Sequence, residues 1–137
     1  MKRRPPSPPE FFIDRSVGGR IVPEGLRRLG FVVHTMYDVY GEDAVSTPDT
    51  RWIADADAAG WVVITKDQRI TRRADEQAAL RSSSLRVFAF GNRSLTGRQM
   101  VDLLESHIHR IVRRLAKAGP FVDVIRKGDV VRRWPRE

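Results

Sequence analysis

The stretch Asp49-Thr50-Arg51-Trp52-Ile53-Ala54-Asp55-Ala56-Asp57-Ala58-Ala59-Gly60-Trp61-Val62-Val63-Ile64-Thr65-Lys66-Asp67 decides the fold. It reads as a helix, a stop and a strand in direct succession. Thr47-Pro48 opens the helix, since threonine caps and proline suits the first helical position, where no N–H is needed. Trp52, Ile53, Ala56 and Ala59 fall on one helical face, and Gly60 ends the element. Trp61–Thr65 is a short run of β-branched and aromatic residues, the pattern of a strand buried on both faces. Asp67 follows it closely.

Working outward, the same alternation recurs. Upstream, Phe11-Phe12-Ile13 is an apolar run that ends on Asp14. Gly18-Gly19 makes a turn. A helix follows, with Ile21, Val22, Leu26 and Leu29 on one face and Arg20, Arg27 and Arg28 on the other. Pro23 fits only in its first turn, and Gly30 stops it. Phe31–His34 reads as a strand, and residues 36–48 as a polar, irregular connection containing Asp38, Glu42 and Asp43. Downstream, residues 68–85 are polar with a short helix around Asp75–Leu80, and Arg86–Phe90 is a further strand. Thr96 and Gln99 have the capping-box spacing and begin a long helix carrying Met100, Leu104, Ile108, Ile111 and Leu115. Gly119-Pro120 terminates it. Residues 121–126 and 130–134 flank Lys127-Gly128-Asp129 as a terminal β-hairpin.

This order predicts one α/β domain over residues 11–137, with a mostly parallel central sheet, helices on both faces and a C-terminal β-hairpin. Residues 1–10, with four prolines and a basic cluster, are expected to form a flexible extended arm. The length of 137 residues supports one hydrophobic core. The absence of cysteine excludes disulfides, thiolate zinc sites and cysteine nucleophiles. No apolar stretch approaches a membrane span. Met1-Lys2-Arg3-Arg4 runs into prolines and not into an apolar segment, unlike a secretory signal, so the expected compartment is the cytoplasm and no membrane partner is expected. With 25 Lys+Arg against 17 Asp+Glu, the net charge of +8 favours a polyanionic partner such as nucleic acid.

In open parallel sheets, sites form outside the carboxyl ends of the strands. Asp14 and Asp67 both stand there. Asp49 lies in the first turn of a helix, where the helix dipole alone also favours an acid. A cluster of carboxylates repels itself unless a cation is present. Magnesium, a hard cation, takes oxygen ligands and is commonly held by one or two carboxylates plus a phosphate. It suits phosphodiester hydrolysis by offsetting phosphoryl charge and acidifying a water.

The Asp49–Asp67 stretch resembles the D-x-x-I-A-x-A … strand-T-x-D signature of PIN-domain nucleases, and Phe11-Phe12-Ile13-Asp14 resembles the family's opening strand and first acid. The set is similar to the short, divergent branch of the VapC group, ribonuclease toxins of toxin–antitoxin pairs. The similarity covers about residues 11–90. It implies a three-layer PIN-like fold and endonucleolytic cleavage of RNA with Mg²⁺ or Mn²⁺. It also implies a cognate antitoxin, and a homodimer or toxin–antitoxin hetero-oligomer. Asp14, Asp49 and Asp67 would hold the metal and an activated water. The sequence departs from the pattern in two places. The glutamate usual on an intervening helix has no clear counterpart, which leaves Asp38 and Glu42 as the favoured fourth acids beside Asp43. Gln68-Arg69-Ile70 stands where a further acid and a phenylalanine often follow T-x-D.

Arg15, Lys66 and Arg69 adjoin the aspartates and are the expected RNA contacts. Arg110, Arg113, Arg114 and Lys117 on the long helix, and Arg126, Lys127, Arg132 and Arg133 on the hairpin, form either a phosphate-attracting surface or a solvated one. His34 is expected to be a buried, hydrogen-bonded histidine in preference to a crevice residue, and Trp52 and Trp61 to be core. A non-catalytic nucleic-acid-binding or regulatory module on the same fold is the competing reading.

Overall fold

The computed structural model describes residues 4–136. Strand β1 (Glu10–Ile13) is followed by helix α1 (Ile21–Arg28), β2 (Val32–Thr35), α2 (Met36–Tyr40) and a 3₁₀ turn (Gly41–Ala44). Helix α3 (Asp49–Ala59), β3 (Val62–Thr65), a second 3₁₀ turn (Gln68–Thr71) and α4 (Ala74–Arg81) come next. The chain ends with β4 (Arg86–Phe90), α5 (Gly97–Arg114), β5 (Phe121–Ile125) and β6 (Val130–Trp134). The six strands form one sheet in the order β2-β1-β3-β4-β5-β6, parallel except for the antiparallel β5–β6 pair. This is the α/β architecture expected, hairpin included.

The apolar runs are continuous because both faces of the sheet are covered and successive side chains alternate between them. Phe11, Ile13, Val62, Ile64, Phe88 and Phe90 point to one core, shared with Val22 and Leu26 of α1 and Met100, Leu104 and Ile111 of α5. Phe12, Val63, Val87 and Ala89 point to the other, shared with Trp52, Ile53 and Ala56 of α3 and Leu80 of α4. Phe12 stacks between Trp52 and Trp61 at 5.5 and 5.8 Å. Val32, on edge strand β2, is exposed. Gly60 caps α3 at φ 77°, a left-handed conformation that glycine adopts without steric cost.

Two local expectations are corrected. Residues 36–48 are not irregular throughout: Thr35 and Asp38 form a reciprocal capping box that starts α2. Pro48 is the N-cap of α3, not its first helical residue, and Thr47 turns away to donate from Oγ1 to the Asp43 carbonyl at 2.8 Å. By contrast, the Thr96–Gln99 capping box of α5 forms as its spacing predicts. Of the proline-rich arm, residues 4–9 carry no helix or strand; Met1-Lys2-Arg3 lie outside the described residues.

Candidate active site

Strands β1 and β3 are adjacent and parallel, with Ile13 opposite Ile64, so Asp14 and Thr65 emerge side by side at the carboxyl end of the sheet. Asp14 is buried. Its Oδ2 accepts from the Thr65 hydroxyl at 2.6 Å, and its Oδ1 accepts from the Ser16 hydroxyl and backbone N–H. Burial raises the Asp14 carboxyl to about 6; the Ser16 and Thr65 hydrogen bonds oppose the rise, and the charge of Asp49 adds to it. Thr65 Oγ1 also accepts from the Asp67 N–H at 3.0 Å, so one hydroxyl ties the two strand-end aspartates together.

Asp67 caps the following 3₁₀ turn by accepting the Arg69 N–H at 2.9 Å. Burial alone would raise its carboxyl. The Arg69 amide and guanidinium and the charge of Arg73 prevail and hold it below the ordinary aspartate value. Asp49, first residue of α3, accepts from Trp52 Nε1 at 2.8 Å and from Arg15 Nη1 at 3.1 Å. The helix that buries Trp52 therefore also fixes the Asp49 rotamer.

The structure adds a residue that the sequence reading missed. Glu76, in the first turn of α4, is buried and turned toward Asp49 and Asp67. Carboxylate oxygens of Asp49, Asp67 and Glu76 lie within 4.8 Å of one another. Burial raises the Glu76 carboxyl against the lowering effect of Arg73, and the adjacent Asp49 carboxylate raises it further. A short helix was expected around Asp75–Leu80, but both Asp75 and Glu76 stand in its first turn and only the docking of α4 selects Glu76. Asp14 stands beside this trio, coupled to it through Asp49 and Thr65.

Asp38 and Glu42 stand elsewhere. The Asp38 carboxylate caps α2 through the Thr35 N–H at 3.0 Å and pairs with Arg27 at 3.1 Å. Glu42 is exposed on the 3₁₀ turn after α2. Neither belongs to the carboxylate group found among the described residues.

The charge arrangement is informative. Arg73 Nη1 is 3.1 and 3.2 Å from the two Glu76 oxygens, 3.1 Å from Asp67 Oδ2 and 3.5 Å from Asp49 Oδ2. One guanidinium nitrogen carries two protons and cannot donate well to four oxygens. The acceptors are under-served, and an oxygen-seeking divalent cation satisfies such a donor set better than a planar fork does. The residues present therefore fit a hard metal ion.

The three expected RNA contacts line the site's rim. Arg15 also donates to the carbonyls of Ala44 and Thr47. Arg69 Nε meets Asp67 at 3.2 Å. Lys66 Nζ donates to the Leu95 carbonyl at 3.2 Å, and Ser16, Lys66, Asp67, Arg69 and Arg93 line an open pocket of about 320 Å³. Much of the remaining basic charge has internal partners: Arg114 and Arg132 bind Asp123, Arg126 binds Asp129, and Arg110 donates to the Gly128 carbonyl. His34 stacks on Trp61 at 4.1 Å and bonds Glu10 at 2.8 Å, outside the carboxylate group.

The family model described as "PIN like domain" matches residues 9–92, the span from β1 through the residues just past β4. This chain belongs to the PIN-like domain family. It is also 33% identical over 122 residues to the "Putative ribonuclease VapC45" of Mycobacterium tuberculosis, which covers 88% of each chain. Its relationship is therefore to the VapC type of PIN domain. No solved structure is a significant match. The family span contains every acid of the candidate site, while the whole of α5 and the β5–β6 hairpin lie beyond it.

Proposed function

We propose that this chain is a divalent-metal-dependent endoribonuclease acting as the toxin of a toxin–antitoxin pair. The VapC relationship supports RNA as the substrate and an antitoxin as the protein partner, within a homodimer or a toxin–antitoxin hetero-oligomer. The observation that carries the reading is the under-served carboxylate group. Asp49, Asp67 and Glu76 would hold the cation, with Asp14 beside them. A bound Mg²⁺ or Mn²⁺ would supply charge neutralisation at the phosphoryl group and a more acidic water as nucleophile.

The chain's own residues supply the rest. Burial raises the Asp14 carboxyl to about 6, and Thr65 and Ser16 hold it in place, so it is suited to take a proton. Lys66, Arg69 and Arg93 would steady the RNA phosphates at the rim. Thr65 fixes the spacing between Asp14 and Asp67.

The competing reading, a non-catalytic RNA-binding module, draws on Arg73, which would then be the permanent counter-ion of the acids. The two differ on metal. Purified protein given RNA with Mn²⁺ or Mg²⁺ is expected to cut it, to stop with EDTA, and to lose cleavage in Asp67→Asn and Glu76→Gln while remaining folded by circular dichroism. Equal cleavage by wild type and both variants would contradict the proposal. Metal-independent RNA binding without cleavage would favour the module.

A further inference from the structure

An open groove of about 900 Å³ runs alongside α4 to the end of β6. Its walls include Arg72, Arg81, Arg133 and Arg136, with Trp134 between them and no acidic residue. These four side chains are exposed, and none has an ion pair or a side-chain hydrogen bond to the described residues. They differ in this from the neighbouring Arg73, Arg114 and Arg132, whose charge is already matched by carboxylates. Leaving four like charges around one concavity is unfavourable unless an anion fills it.

One wall of the groove adjoins the candidate site along the chain. Arg72 precedes Arg73, the residue that touches Asp49, Asp67 and Glu76. Helix α4 then carries the wall for ~12 Å, its eight residues at 1.5 Å each, to Arg81. Trp134 lines the opposite side from β6, half-buried, where it packs partly on the core. Paired guanidinium groups and an accessible indole are what a single nucleic-acid strand requires: charge for the backbone and a platform for a base.

We propose that this groove is a second RNA-binding surface, which takes single-stranded RNA continuing from the carboxylate site. Arg72, Arg81, Arg133 and Arg136 would meet its phosphates, and Trp134 would stack on a base. The inference rests on RNA being the substrate. It concerns a surface whose second wall, at the end of β6, lies beyond the family span. An acidic polypeptide is the other polyanion that fits the charge. The aromatic platform, and a lining that includes the chain neighbour of Arg73, favour RNA.

The test is fluorescence anisotropy with a labelled, unstructured RNA of about 20 nucleotides, in EDTA so that nothing is cut. Full-length wild type is compared with the Arg81→Gln/Arg136→Gln double variant, each checked for unchanged thermal midpoint. Affinity is expected to fall at least about tenfold, and the slope of log affinity against log salt to drop by about 1.4, the value for two single-strand phosphate contacts. An Arg20→Gln/Arg28→Gln double variant, which removes the same charge from exposed positions outside the groove, is the control and should bind nearly as wild type. Wild-type affinity and slope in the double variant would overturn the groove. So would loss of poly-glutamate binding with RNA binding retained, which would assign the surface to an acidic polypeptide. Because binding is read without metal, its failure is separate from that of the nuclease reading, which is judged by cleavage in Mn²⁺.

Discussion

Two clusters of aspartate and arginine sit in this molecule, and they are built on opposite principles. At β5, Asp123 is fully buried, and each of its oxygens has a guanidinium of its own: Arg114 Nε on Oδ2 at 2.5 Å and Arg132 Nε on Oδ1 at 2.6 Å. Arg132 also lies over the Phe121 ring at 4.6 Å. That cluster is saturated, and it ties the end of α5 to both strands of the hairpin. At the carboxyl ends of β1 and β3 the supply is thinner: Asp49, Asp67 and Glu76 face one another with Asp14 beside them, Arg15 and Arg69 each hold one oxygen from outside, and one nitrogen of Arg73 is left to serve the rest. A carboxylate that has all its partners is a structural joint. A group of carboxylates that shares too few protons is prepared for a further cation.

The contrast can be broken most directly at Asp67 and Asp123. Asp67→Asn is expected to lower RNA cleavage in Mn²⁺ at least about 100-fold with little effect on folding. Asp123→Asn is expected to do the reverse. It leaves two arginines facing an uncharged buried group and should lose about 3 kcal/mol in urea unfolding, with cleavage kept wherever the protein is folded. Activity loss without destabilisation in Asp123→Asn would reverse the assignment of the two clusters.

Asp14 sharpens the comparison through pH. The unfolded side chain titrates near 3.8 and the folded one near 6, so between these values the folded state holds a proton that the unfolded state does not. Stability therefore falls as pH rises through that window, by about 3 kcal/mol, and stays level above it. Asp14→Asn lacks this loss. Its thermal midpoint in EDTA should exceed that of wild type near pH 7 and converge with it near pH 4. A gap that does not change with pH would remove the burial argument.

The smallest expected effect is at Arg73. Its side chain is 36% exposed, so its loss costs the fold little. Arg73→Gln should lower the metal-free midpoint by a few degrees and tighten Mn²⁺ binding roughly tenfold by calorimetry, since a competing charge is removed. Weaker Mn²⁺ binding would make Arg73 part of the site and not a competitor for it.

Much of this was legible in the sequence. The continuous apolar runs at Phe11–Ile13 and Val62–Ile64 required a doubly covered parallel sheet, and that topology alone brought Asp14 and Asp67 to one edge. The N-terminal position of Asp49 on its helix was also readable. Glu76 was not found, because its helix is short and polar with little amphipathic signal, and its importance depends on how α4 is docked and not on local pattern. Asp38 and Glu42 drew attention instead because they fall between the second strand and Asp49. Asp38 forms a capping box with Thr35, a pairing three residues apart that the sequence also contained. The basic long helix and hairpin misled for a similar reason: Arg114, Arg126 and Arg132 read as free charge until the packing paired them with Asp123 and Asp129.

The most direct test is a crystal structure of the protein grown with Mn²⁺ and measured at an anomalous-scattering wavelength. The account predicts an anomalous peak at about 2.1 Å from oxygens of Asp49, Asp67 and Glu76, with the Arg73 guanidinium displaced from among them. Saturating Mn²⁺ with no peak there, and Arg73 still bridging the three carboxylates, would contradict it.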